Sequence, residues 1–184
     1  MKKISSLFCL LLILTSCSTT TSSTSSNGSQ ARRLAVPVDC NQQAVIDSFN
    51  KAVPGSKYVP TDWQPAPGTD LAAAYDNDGI ACSYGIQSAE IGGTIIWASN
   101  KNKVWDQRVL EWKKAGQIKV DIPQVRESEA YVLKDGSTSA DGMHVWATNL
   151  LIDGIWIQVS ASFLQSIDEA LPIIQSAIDA ASNP

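Results

Sequence analysis

Histidine occurs once in this chain of 184 residues, as His144, and methionine only twice. The sequence has no P-loop, GxGxxG, HExxH, CxxC or GxSxG pattern. Nucleotide cradles, zincin-type metal sites and serine-hydrolase elbows are therefore not signalled. There is no glycine period, no sustained heptad and only one long apolar run, which excludes collagen, coiled coils and polytopic membrane proteins. A basic excess is also missing. All 18 acidic residues lie from Asp39 onward with only ten of the 14 basic ones, so that part carries a net charge of −8. Such a surface is repelled by phosphate backbones and anionic lipid headgroups, which argues against nucleic acid as a partner and against peripheral lipid docking.

What is present is most distinctive at the N-terminus. Met1-Lys2-Lys3 gives a positive start, Leu7 to Leu14 an apolar run too short to span a bilayer, and Thr15-Ser16-Cys17 a zone of small residues. Plain secretion with cleavage near Ser22 is the competing expectation. Ser18 to Gln30 is almost wholly Ser and Thr, with nothing apolar to bury, and reads as a flexible spacer open to O-glycosylation. Its reach to Ala35 is about 25 Å. Arg32 and Arg33 read as a solvated pair rather than a headgroup contact.

Leu14-Thr15-Ser16-Cys17 resembles the lipobox of bacterial lipoproteins. The resemblance implies a signal peptide over 1–16, a Cys17 that becomes the new N-terminus and carries acyl chains such as palmitate, and a tether over 17–35. It also implies a single extracytoplasmic domain over 36–184, attached to the cell membrane by lipid alone. Two or three acyl chains hold far better than one. With Cys9 removed and Cys17 lipidated, Cys40 and Cys82 are left in an oxidising compartment and are expected to form a disulfide. A metal site is the alternative, but it lacks the paired ligand spacing that zinc needs.

The domain reads as α+β, an antiparallel sheet with helices packed on one face. Gln42 to Val53 carries Val45, Ile46, Phe49 and Val53 at helical spacing and stops at Pro54-Gly55. Pro54 to Gly79 reads as a long loop with a helical turn at Asp70 to Tyr75. Ile80 to Ile86 and Ile91 to Ser99 form a hairpin turning near Ser88-Ala89-Glu90. Asn102 to Ala115 is a helix closed by Gly116. Short strands are expected at Ile118 to Ile122 and Glu129 to Lys134. Met143 to Ile152 and Ile155 to Ala161 flank Asp153-Gly154, suited to a type I′ turn. That register puts Trp146, Leu150, Ile152, Ile155, Ile157, Val159 and Ala161 on the core face. Asn149, Trp156 and Gln158 fall on a mixed face, either solvated or covered by a helix. Ser166 and Glu169 form a capping box for a last helix through Ile167, Leu171, Ile174 and Ile178, complicated by Pro172.

No residue is assigned a catalytic role. His144 is expected on the core face as a structural histidine. Asp76-Asn77-Asp78-Gly79 has part of a calcium-loop pattern but lacks the other ligands, so it reads as a turn, and no metal or cofactor is expected. Of six tryptophans, Trp97, Trp105, Trp112 and Trp146 lie on apolar stripes. Trp63, beside Tyr58 in the Pro-rich loop, and Trp156, on the mixed face, are the candidate ligand-binding aromatics. The layout of lipobox, Ser/Thr tether, Cys40 before the first helix, Cys82-Ser83-Tyr84 and an acidic Trp-bearing domain is similar to small surface lipoproteins of actinobacteria, whose function is unassigned. The expected role is a lipid-anchored binding or interaction module for a cell-envelope protein or glycan. An envelope enzyme acting on cell-wall polymers through paired carboxylates and a carrier of an apolar ligand are the alternatives.

Overall fold

A computed structural model describes residues 33–127, 129–133 and 146–182, all within one compact unit, 32–184. The positions expected to form the signal, lipobox and tether, up to residue 32, and His144 lie outside the described residues. Leu34 and Val36 rest on the core, and the Ala35 N–H donates to the Ala181 carbonyl at 2.9 Å.

The elements in order are α1 (Gln43–Ala52), β1 (Lys57–Val59), α2 (Asp70–Tyr75), β2 (Ile80–Ile86), β3 (Ile91–Ser99), α3 (Val104–Lys114), β4 (Ile118–Val120), β5 (Glu129–Leu133), β6 (Trp146–Ile152), β7 (Ile155–Ala161) and α4 (Ile167–Ser182). The strands form one antiparallel sheet in the order β1-β2-β3-β7-β6-β5-β4. Asp153 and Gly154 both have positive φ, 47° and 78°, and Ile152 pairs with Ile155, as a two-residue type I′ turn requires. Gly116, at φ 86°, closes α3, and the Gln117 N–H reaches back to the Trp112 carbonyl at 2.9 Å in a Schellman arrangement. Ser166 Oγ accepts from the Glu169 N–H, while the Glu169 carboxylate reaches one residue further back than a capping box, to the Gln165 N–H. The helix then runs through Pro172 without ending. Strand β1 was not expected. Its three residues sit between prolines and pair with β2 from Lys57↔Gly85 to Val59↔Ser83.

The α+β class and the antiparallel sheet are as expected, but the helices are not confined to one face. On the first face α1 and α4 cover Cys82, Tyr84, Ile95, Trp97, Leu150, Ile157 and Val159. On the second face α2 and α3 cover Ala81, Ile96, Ala98, Tyr131 and Trp156. The physical reason lies in the strands. Residues 95–98 and 155–159 are buried without a break, so both sides of β3 and β7 have been taken out of water.

The disulfide Cys40–Cys82 closes a separation of 42 residues with Cα atoms 5.4 Å apart, and ties the entry of α1 to β2. Beside it the Tyr84 hydroxyl donates to the Cys40 carbonyl at 2.9 Å, and the Phe49 and Tyr84 rings stack at 5.0 Å. Burial, followed by the neighbouring Tyr58 and Asp39, pushes the Tyr84 hydroxyl well above its ordinary range, so it remains a neutral donor. In the chain-entropy model a loop of this length contributes about 4 kcal/mol. Cys40→Ser/Cys82→Ser is therefore expected to lower the urea midpoint in proportion to a loss of about 2 to 4 kcal/mol. An unchanged midpoint would remove the disulfide from the fold's stability.

Candidate functional site

The second face is built around tryptophan. Trp105 and Trp112 meet edge to face at 4.9 Å, and Trp112 lies 5.4 Å from Trp156, which is wholly buried. Each indole N–H in this dry layer has an acceptor. Trp105 donates to Glu129 Oε2 at 2.8 Å, Trp156 to Asn149 Oδ1 at 2.9 Å, and Trp112 to both oxygens of Asp70 at 3.0 Å.

Asp70 is the hub. It is the first residue of α2, whose N-cap Thr69 accepts from the Ala72 N–H. Arg108 and Trp112 stand four residues apart on α3 and so share a stripe that faces it. Arg108 Nε donates to Asp70 Oδ1 at 2.6 Å, and its Nη1 reaches the Gly68 carbonyl at 3.0 Å. Gln158 Nε2 donates to Asp70 Oδ2 at 2.6 Å and to Asn149 Oδ1 at 2.9 Å, and Asn149 Nδ2 continues to Gln117 Oε1. One hydrogen-bonded line thus joins α2, α3, β7, β6 and the approach to β4. A network of this kind, buried at Asn149 and Gln158 and half-buried at Asp70 and Arg108, rigidifies what it joins.

The helices fixed in this way enclose a cleft of about 540 Å³ between α2 and the start of α3. Pro67, Ala72, Ala73 and Val104 supply its apolar surface, and Asp76, Asn77, Gln107, Arg108 and Glu111 its polar one. Asn77 belongs to the segment expected to be a turn. The backbone bears that out, since Asp76 ends α2 and Asp78 has φ 54°. A Cβ on Gly79 would lie 2.6 Å from the carbonyl oxygens of Ala74 and Trp97, so only glycine lets the turn run this close to β3. The Asn77 side chain is 7% exposed, and its Nδ2 donates to the Ala73 carbonyl at 2.8 Å. Its Oδ1 has no partner. Glu111 lies at the exposed edge, where hydrogen bonding from Lys114 holds its carboxyl below the ordinary range.

A second concavity of about 430 Å³ lies on the same face of the sheet, at the end that α2 and α3 leave bare. Its floor is the cross-strand row Ser83, Thr94 and Ser160, with Gly85 paired to Gly92 beside it. It is the smaller of the two.

The expected aromatic site is not assembled. Trp156 presents no surface to solvent, because α3 covers the mixed face on which it lies. Trp63 is half-buried against the second core, its Nε1 spent on the Ala81 carbonyl at 3.1 Å. Tyr58 packs on the opposite face, 6.1 Å from Tyr84. Sequence reasoning missed Asp70, Arg108 and Asn77. The available signal was the number of indoles, since three buried N–H donors on one face require three acceptors. Among the described residues no three His, Cys, Asp or Glu side chains are grouped to hold a metal ion.

Removing the hub leaves the Trp112 N–H and Arg108 Nε without their acceptor, and Gln158 Nε2 with only Asn149 Oδ1. Asp70→Ala is expected to cost about 3 kcal/mol in urea unfolding with an unchanged m-value. Glu129 gives a pH signature. The Trp105 N–H first, then Lys119 and the Tyr131 hydroxyl, hold its carboxyl below its ordinary value of 4.5. With the folded pKa below the unfolded one, the stabilisation is present above that value and is lost as pH falls through the folded pKa. Glu129→Gln should therefore flatten the decline in melting temperature between about pH 5 and pH 3, and an unaltered slope would refute the assignment.

No protein-family model, no curated protein and no solved structure matches the chain, so the case for the site rests on the geometry of its own residues.

Proposed function

We propose that the protein is a lipid-anchored extracytoplasmic binding module, held to the cell membrane through acylated Cys17, with the α2–α3 cleft as its ligand seat. The observation that carries the seat is a concavity within the 300 to 1,000 Å³ range of ligand pockets, with walls fixed by the Asp70 network rather than by apolar packing alone. The disulfide fits an oxidising compartment. No helix among the described residues is long and apolar enough to cross a membrane.

The cleft suits binding better than the two alternatives. A glycosidase needs one carboxyl with a raised pKa. Asp76 and Glu111, the two carboxylates on this cleft, are both solvent-exposed, and Glu111 is shifted the other way. A carrier of an apolar ligand needs an enclosed apolar chamber, whereas polar side chains line much of this wall.

Two readouts on the full chain test the proposal. Cys17→Ala should abolish acyl labelling and release the protein from membranes, and continued labelling would refute the anchor. Amide chemical shifts recorded against a library of small polar fragments should move saturably around Ala72, Asn77 and Arg108. Hits confined to other surfaces would refute the seat, and turnover of a cell-wall glycan would favour the enzyme.

A further inference from the structure

The two outer strands of the sheet are protected differently. In the order β1-β2-β3-β7-β6-β5-β4 the free edges belong to β1 and β4. An edge strand carries a row of backbone groups that can pair with another chain, and prolines, charges and covering segments normally prevent this. Strand β1 has three residues and runs straight into Pro60. Strand β4 is followed by Asp121 and Ile122 before Pro123 is reached, and among the described residues it pairs only with β5. Ile118, its first residue, is 51% exposed.

The five residues from here are self-complementary. Ile118-Lys119-Val120-Asp121-Ile122 has the same apolar pattern read from either end about Val120, while the charge changes sign from Lys119 to Asp121. Val120 and Ile122 pack on the first-face core, whereas Lys119 donates to Glu129 Oε1 at 2.9 Å beside Trp105 of the second face. Side chains alternate along an extended chain, so Asp121 shares the second face with Lys119. We propose that β4 is the edge through which a second copy of this chain docks, antiparallel and centred on Val120, joining the two sheets into one. A two-fold axis normal to the sheet sets Val120 against its own copy, Ile118 against Ile122, and Lys119 against Asp121 twice over. Centring on Lys119 or on Asp121 would instead oppose like charges, so charge selects the register. Lys119 is free to serve, since its side chain is 60% exposed and Glu129 takes only one of its three donors. A ladder this short buries little area, so the dimer is weak and forms where the chain is concentrated. Attachment to one membrane would supply that concentration, and a two-fold axis along the membrane normal keeps both tethers on the same side.

Sedimentation equilibrium of the full chain in density-matched detergent should show mass doubling with concentration below about 1 mM, the effective concentration that tethering supplies. Lys119→Asp and Asp121→Lys each oppose like charges twice, and each should weaken the dimer about tenfold or more. An equimolar mixture of the two variants restores both opposite-charge pairs and should recover the affinity, which mere damage to the fold would not. Because Lys119 also holds Glu129, a crosslink tests the register without altering charge. In a Cys9→Ser/Cys17→Ser background, Val120→Cys should give a disulfide-linked dimer in air, its Cα atoms about 4.5 to 5.5 Å apart. Ile91→Cys, 40% exposed on β3, should not. A monomer throughout this range, dimerisation indifferent to both charge reversals, or crosslinking as fast through Ile91→Cys would overturn the proposal.

Discussion

The constraint on which the rest of the structure depends is that a sheet buried on both faces must satisfy every polar group it carries. Trp97 meets this on the first face by donating to the Ala177 carbonyl of α4 at 2.9 Å. On the second face Trp105, Trp112 and Trp156 draw in Glu129, Asp70 and Asn149. Leaving one such donor unmet costs about 1 to 3 kcal/mol, a sizeable part of a domain's whole stability. The acceptors therefore determine where α2 and α3 sit. Apolar contact tolerates a slide of one helix past another, whereas the bonds from Trp105 on α3 to Glu129 on β5 and from Trp112 on α3 to Asp70 on α2 do not.

The same economy appears in how the short helices are held. A helix of ten residues, such as α1, is marginal by itself. It has no side-chain hydrogen bond at its N-cap and no acidic residue in its first turn. Its entry is held instead by the disulfide and by the Tyr84 hydroxyl on the Cys40 carbonyl. The six-residue α2 has no covalent tie and depends on Thr69 at its cap and Asp70 in the network. Each short helix thus has one strong polar or covalent fixing point, and the longer α4 relies on its apolar stripe. The cleft opens beside α2, the helix that has no covalent tie.

Most of the elements were legible in the sequence because their signals are local. Asp153-Gly154 between two apolar runs defines the hairpin and its register, and Gly116 and Ser166 mark helix ends through the backbone angles and caps they supply. The two-sidedness of the sheet was not legible in the same way. Asn149 and Gln158 alternate with apolar residues as solvent-facing residues do, and only their partners on other elements show that they serve a buried indole and a half-buried carboxylate. Strand β1 escaped notice because three residues between prolines make no pattern. At the site, Asp76 to Gly79 was correctly legible as a turn, since turn preference is intrinsic to those residues. That the Asn77 amide would line a cleft depends on α3, which begins 27 residues later.

Long-range and local electrostatics act differently on that cleft. A net charge of −8 favours approach of any cation and raises its concentration near the surface. At physiological salt this field decays over about 8 Å, so it steers small cations with little discrimination among them. Selection must come from groups that are shielded from solvent and fixed in place.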